Sequence, residues 1–548
     1  MDALNRLVES NAISRLAERD ASLFTDDIDA RIPVMQRFGW TDLAEKAPGR
    51  FILLANLADA LVEEGATDVV LLGMGGSSLA PLVMSRVFGS APGRPRLHVF
   101  DTTSPVAVAS AIETLDPETT FLVIASKSGT TVEPLSLYAI FRQWLETALS
   151  RTVAGRHCIV ITDAGTPLEK LRQRDLMRMA LGAPPTVGGR FSALSMFGLA
   201  PAMLIGVDLE GLIARAAAME NACHFAASEN PAALLAAWIV EANEAGCDKL
   251  TLVMSQEFAS FGLWIEQLVA ESLGKLGKGV VPIIEYAATP PNTYGPDRAI
   301  VVLRLTSDSQ LTTWSREIAA AHPVFEITAT DTLDLGAEFV RWEYAIALAG
   351  FLLGVNPFDE PNVAEAKSAT NAILAGTASV PSAGADYDGT WVTWAGSAPM
   401  PAPKPADREM ALRDLFGGSR EGDYIAILAY LTDDETLLAP LHRAASTLSA
   451  ATGRAVCVEL GPRYLHSTGQ LHKGGPNSGI YLLVTARDRA DIEIPGQKFT
   501  LAALNRAQAE GDLTTLAAHG RRVMRVDLPS SERGVVTALA AEIGRATL

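Results

Sequence analysis

Two runs of glycine and hydroxyl residues each follow a short apolar stretch and precede a helical one: Gly73-Met74-Gly75-Gly76-Ser77-Ser78 and Ser126-Lys127-Ser128-Gly129-Thr130-Thr131. Glycines let a backbone approach a ligand closely, and N–H groups at a helix start favour an anion. The second run adds four hydroxyls and the charge of Lys127. Two such loops at neighbouring strand ends suit one phosphate monoester. The first loop alone also permits a dinucleotide reading, with Asp101 closing the next strand as a ribose-binding acid would. Against that reading, Ser78 stands where the fingerprint needs glycine. Val187 to Ser192 brings Arg190 on a third glycine turn; taken alone, Arg190 reads equally as half of a surface salt bridge. Gln267 and Glu271 are four apart and share one helix face. Glu271 lies in the last turn before Gly274, where the helix dipole disfavours an anion and raises a carboxyl pKa, as suits a general base. The plainer reading is a solvated glutamate offset by Lys275 and Lys278.

Short apolar strands must hold these loops. Asp68–Leu72, His98–Phe100, Thr120–Ala125 and Cys158–Thr162 alternate with helical stretches, which predicts a doubly wound parallel sheet covered on both faces. A second unit of the same style starts near Lys249, with strands at Leu250–Met254 and Ala299–Leu305 and helices at Phe258–Ser272 and Glu338–Leu353. The prolines of APMPAPKPA read as an extended linker. Beyond it, Tyr424–Tyr430, Ala455–Leu460, Gly479–Thr485 and Arg522–Val526 predict a smaller α/β module. The expected division is a helical segment over 1–49, α/β domains over 50–230 and 231–375, a linker over 376–410 and the C-terminal α/β module over 411–548.

The length of 548 residues accommodates several domains at roughly 150 residues each. A formal net charge of −18 repels nucleic acid and anionic lipid, so neither is an expected partner, and an anionic substrate must be captured by local groups. The longest strongly apolar run, Tyr344 to Val355, is too short to span a bilayer. The N-terminus has no apolar signal core, and Cys158, Cys223, Cys247 and Cys457 form neither a C-x-x-C pair nor a metal-spaced cluster. The expectation is a cytoplasmic chain with reduced cysteines, no metal and no cofactor.

Five segments in order, GMGGSSLAP (73–81), SKSGTTVE (126–133), VGGRFS (187–192), QLVAESLGKLGKG (267–279) and NPFDEPNVAEAK (356–367), resemble the glucose-6-phosphate isomerase family, built from sugar isomerase (SIS) domains. The C-terminal module, with RYLHSTGQLHKGGPN (463–477), looks most like the isomerase portion of bifunctional transaldolase/glucose-6-phosphate isomerase fusions. The resemblance implies two SIS-type doubly wound parallel-sheet domains with the site between them, a sugar phosphate as substrate, and no cofactor. It also implies roles. Ser77, Ser126, Lys127, Ser128 and Thr131 hold the phosphate, and Gly76 and Gln267 line the sugar site. Glu271 moves a proton between C1 and C2 through a cis-enediol(ate), Arg190 stabilises that enediolate, and Lys367 assists ring opening.

The family's ring-opening histidine is expected between the ESLGK and NPFD segments, but the corresponding stretch, Tyr294 to Arg298, has none. His322 is the only histidine in that interval. Ring opening needs an acid/base near neutrality, for which histidine is the natural side chain. The loop from Leu465 to Pro476 concentrates two histidines, and its HKGGPN run is loosely similar to the family's His-Gly-Gly-Pro-Asn context. His472 is therefore the expected ring-opening residue, with His466 in reserve at the substrate site, reached from the same subunit or from a second copy in a homo-oligomer. Three other readings stay open: a non-catalytic SIS module that binds sugar phosphates, an isomerase of another C6-anionic sugar, and a nicotinamide-dependent oxidoreductase.

Overall fold

The computed structural model describes residues 2–546 apart from 286, 287, 379, 382, 399 and 400. β-branched and aliphatic runs such as DVVLL and TFLVIA are buried along their whole length, as strands covered on both faces must be. Strands β1 (Asp68–Leu72), β2 (Arg96–Phe100), β3 (Thr120–Ala125), β4 (Cys158–Asp163) and β5 (Met179–Ala183) form a sheet in the order β2-β1-β3-β4-β5. Every pairing in it is parallel. The order reverses between β1 and β3, and the two glycine/hydroxyl loops leave those strands there, at a topological switch point. A second parallel sheet, β7-β6-β8-β9, uses β6 (Lys249–Met254), β7 (Val281–Glu285), β8 (Arg298–Leu305) and β9 (Val324–Ala329). One continuous apolar cluster joins the two units, running from Leu71 and Phe191 to Trp264 and Phe339. Among the described residues no helix is long and apolar enough to cross a membrane.

The C-terminal sheet is larger than its sequence pattern implies. It has the order β10-β11-β15-β14-β12-β13, from β10 (Gly384–Tyr387), β11 (Thr390–Gly396), β12 (Tyr424–Ala429), β13 (Ala455–Leu460), β14 (Gly479–Ala486) and β15 (Arg522–Leu528). β10 and β11 lie inside the stretch assigned above to a linker, so residues 384–396 are a hairpin paired antiparallel to β15. Its turn uses Asp388 and Gly389, both at positive φ, the conformation that suits a two-residue hairpin. In the proline run, Pro399 lies outside the described residues, while 401–405 form neither helix nor strand.

The module is fastened to both parallel-sheet units. Ala270, Val281 and Ile283 share an apolar cluster with Tyr424, Tyr464 and Tyr481. At the end of β2, Asp101 accepts two hydrogen bonds from Arg463, at 2.8 and 2.9 Å, and Arg463 also donates to Asp433 at 2.7 Å. This overturns the ribose-binding reading of Asp101, whose carboxylate is buried and occupied by an arginine. Removing one member of a buried pair strands the other's charge. Asp101→Ala is therefore expected to lower unfolding free energy by about 3 kcal/mol, read as an earlier urea midpoint; an unchanged midpoint contradicts this account of the interface.

Candidate active site

Four stretches converge on a cavity of about 410 Å³, within the usual size range of small-molecule sites. Met74 to Ser77 form one wall, Lys127, Ser128 and Thr131 a second, Gly189 and Arg190 a third, and Gln267 and Glu271 a fourth. Glu360, Val363, Lys367 and His466 also line it. The first wall tolerates only glycine at two points. Gly75 has φ +53°, and a Cβ on Gly76 would lie 1.9 Å from the Gly189 carbonyl oxygen. This contact locks the loop after β1 to the Arg190 turn, and Ser192 Oγ reinforces it by donating to the Gly76 carbonyl at 3.1 Å.

The hydroxyl loop is internally braced. Ser126 Oγ lies 3.1 Å from Thr131 Oγ1 and accepts from the Gly129 N–H at 3.2 Å. Ser126 is buried beneath the loop and does not line the cavity, so it shapes the loop from below. Lys127 is paired with Asp163. Burial lowers the Lys127 pKa, with Asp163 opposing. Arg37, from the N-terminal helical segment, reaches the same cavity. Sequence pattern gave no signal for Arg37 or Asp163, since a single charged residue in a helix or strand end carries no local mark of its tertiary neighbours.

Glu271 sits on the helix Phe261–Leu273, in which every residue but Leu263 is buried. Its pKa is raised first by burial, and Arg190 opposes the shift. The helix-end location anticipated the right direction, but desolvation is the leading cause. Arg190 Nη1 stands 3.4 Å from Glu271 Oε1 and 3.1 Å from Glu360 Oε2. Its Nε donates to Ser272 Oγ at 2.9 Å, and Nη2 donates to the carbonyls of Pro357 at 2.6 Å and Asp359 at 2.9 Å. The NPFDE segment thus serves as a mount for this guanidinium, which is buried and not on the surface. Gln267 Nε2 donates to the His466 carbonyl at 2.7 Å and to Glu271 Oε2 at 3.3 Å. Gln267 Oε1 is buried with no hydrogen-bond partner among the described residues. Lys367 stands exposed on the helix Val363–Leu374 at the mouth.

The two histidines separate. His472 does not reach the cavity: it is 1% exposed, ringed by Tyr424, Tyr464 and Tyr481, with Nε2 3.5 Å from Glu459 Oε1. The segment expected to be an open polar loop instead folds into the helix Gly469–Gly474, which buries His472 in the C-terminal module. His466, one turn before that helix, faces the cavity, and its Nε2 lies 2.9 Å from Glu133 Oε1. Gln508 Nε2 donates to the same carboxylate oxygen at 2.7 Å. Burial raises the Glu133 pKa, but the charge and hydrogen bond of His466 outweigh it and hold the carboxyl below its ordinary value. A histidine with one nitrogen fixed on a carboxylate has a set tautomer and ring orientation. His322 does not line this cavity, nor does any residue of the Tyr294 to Arg298 stretch.

The sequence model of the phosphoglucose isomerase family matches residues 60–295. Glucose-6-phosphate isomerase of Rubrobacter xylanophilus is 29% identical over 365 residues, covering 58% of this chain and 84% of that protein. That of Prochlorococcus marinus is 31% identical over 348 residues, covering 56% of this chain and 63% of its own. Among solved structures, a hypothetical protein of Thermus thermophilus superimposes with TM-score 0.60 at 24% identity, covering 68% of this chain and 97% of that one. A glucose-6-phosphate isomerase of Chlamydia trachomatis gives TM-score 0.51 at 22% identity, covering 62% and 74%. Over residues 60–295 the chain is thus similar to the phosphoglucose isomerase family, and the loops of that stretch meet the rest of the cavity between two parallel α/β sheets.

Proposed function

We propose that the chain interconverts glucose 6-phosphate and fructose 6-phosphate by ring opening and proton transfer through a cis-enediol(ate). The observation that carries this reading is the pairing of Glu271 with Arg190 across two adjoining walls of a cavity that also has a hydroxyl-rich wall. The phosphate rests against Ser77, Ser128 and Thr131, with Lys127 and Arg37 supplying charge. His466, steadied by Glu133, exchanges the proton that opens the ring, and Lys367 lies over the ring oxygen. Glu271 then takes the proton from C2 and returns it to C1. As it becomes neutral, Glu271 releases its hold on Arg190 Nη1, which Glu360 still holds, so more of the guanidinium's charge faces the enediolate oxygen as that oxygen gains charge. Preorganised donors of this kind contribute most where charge develops, and the anchored phosphate fixes the reacting carbons beside the base. A cytoplasmic setting, with the four cysteines reduced, fits this chemistry.

A coupled assay of fructose 6-phosphate conversion by the purified chain tests the reading. Formation of glucose 6-phosphate is the expected result; binding of fructose 6-phosphate without turnover would make the chain a sugar-phosphate reader instead. The phosphate wall has its own test. Lys127→Ala is expected to raise KM about tenfold, the worth of one charge-assisted hydrogen bond, and Thr131→Val to raise it less. Both variants should weaken inhibition by inorganic phosphate, and an unchanged inhibition constant in both would move the anion site elsewhere.

A further inference from the structure

The helix Phe261–Leu273 carries Glu271 into the catalytic cavity and Glu266 into a different one. This second cavity, about 350 Å³, lies between that helix, the helix Glu435–Thr452 and strand β13. Its charged lining is five carboxylates, Glu257, Glu266, Asp433, Glu435 and Glu459, against two arginines, Arg86 and Arg463. The arginines are already engaged, Arg463 by Asp101 and Asp433, and Arg86 by Asp433. Glu459 accepts from Thr468 Oγ1 and faces His472 Nε2 at 3.5 Å. Glu266 differs from all of these. It is 7% exposed and has no hydrogen bond or ion pair among the described residues. Burial raises its pKa, nearby Glu459 adds to the shift and Arg463 opposes it. A buried carboxyl without a partner is costly, and in a roomy polar cavity it is an invitation to a cation. Leu263, Leu438, Val458 and Leu460 give the same cavity an apolar wall.

We propose that this cavity is a second ligand site that takes a small alkylammonium compound, its ammonium on Glu266 and its stem along the leucines. The exposed carboxylates of Glu257 and Glu435 give a second ammonium its counter-charge at the mouth. The same acidic lining disfavours a sugar phosphate, so the two cavities of this helix select opposite charges. The test is calorimetric titration of the full chain with 1,4-diaminobutane, using 1,4-butanediol as the uncharged probe. The expected result is saturable binding of the diamine at one site and none of the diol. Glu266→Gln should weaken the diamine at least tenfold, whereas Glu271→Gln, in the other cavity, should leave its affinity unchanged. Leu438→Trp, which fills the cavity without touching a charge, should abolish binding too. Absence of saturable binding, equal binding of diol and diamine, or undiminished affinity in Glu266→Gln would overturn the proposal.

Discussion

Glu271→Gln is expected to lower kcat by about 10²–10⁴, the usual worth of a general base, while KM changes little. The amide keeps the size of the side chain and its place beside Gln267, but it cannot accept the C2 proton. Because burial raises the Glu271 pKa above its ordinary 4.5, the pH profile follows with a definite sign. The base works as the carboxylate, so kcat/KM rises with pH through the Glu271 pKa and is lost below it, with the acid limb centred above 4.5. A variant that keeps more than a tenth of wild-type turnover contradicts the assignment, and so does an acid limb at or below the ordinary value.

The second large effect belongs to His466. His466→Gln retains a donor for Glu133 but no titratable ring, and should slow turnover of the cyclic sugar by about 10²-fold or more. Proton exchange in an acyclic, ring-opened analogue bypasses that step and should stay within a few-fold of wild type. Equal losses on both substrates would mean that His466 positions the site instead of opening the ring. His472 offers the internal contrast: enclosed by three tyrosines, it should show its substitution in stability and not in the ratio of the two rates.

The difference between these two histidines shows where sequence reading reaches its limit. Loops after β1 and β3 are legible because glycine and hydroxyl runs at strand ends have few other uses, and Gln267 and Glu271 are legible because helical spacing alone puts them on one face. Between His466 and His472 there is no such local rule. The choice depends on the helix Gly469–Gly474 burying its polar side chains, with Gln470 donating to the Gly274 carbonyl of the second unit at 3.0 Å and Lys473 pairing with Asp512 inside the module. Glu133 and Gln508 come from segments 375 positions apart and meet at one carboxylate oxygen, a contact set by the packing of the C-terminal module. The β10–β11 hairpin did carry a local signal, the Asp388-Gly389 turn, which the proline-rich stretch just beyond it masks. Arg37 and Glu360 carried none: each is one charge whose neighbours arrive from distant parts of the chain.

The most direct test of the proton-transfer account is isomerisation in D₂O, followed by NMR until the sugar-phosphate pool has turned over many times. Glu271 lines an open cavity and exchanges its proton with solvent between turnovers. The account therefore predicts deuterium at C2 of glucose 6-phosphate and at C1 of fructose 6-phosphate, at a rate that falls with turnover in Glu271→Gln. Complete interconversion with no deuterium at either carbon would mean that hydrogen passes directly between them, and would contradict Glu271 as the base.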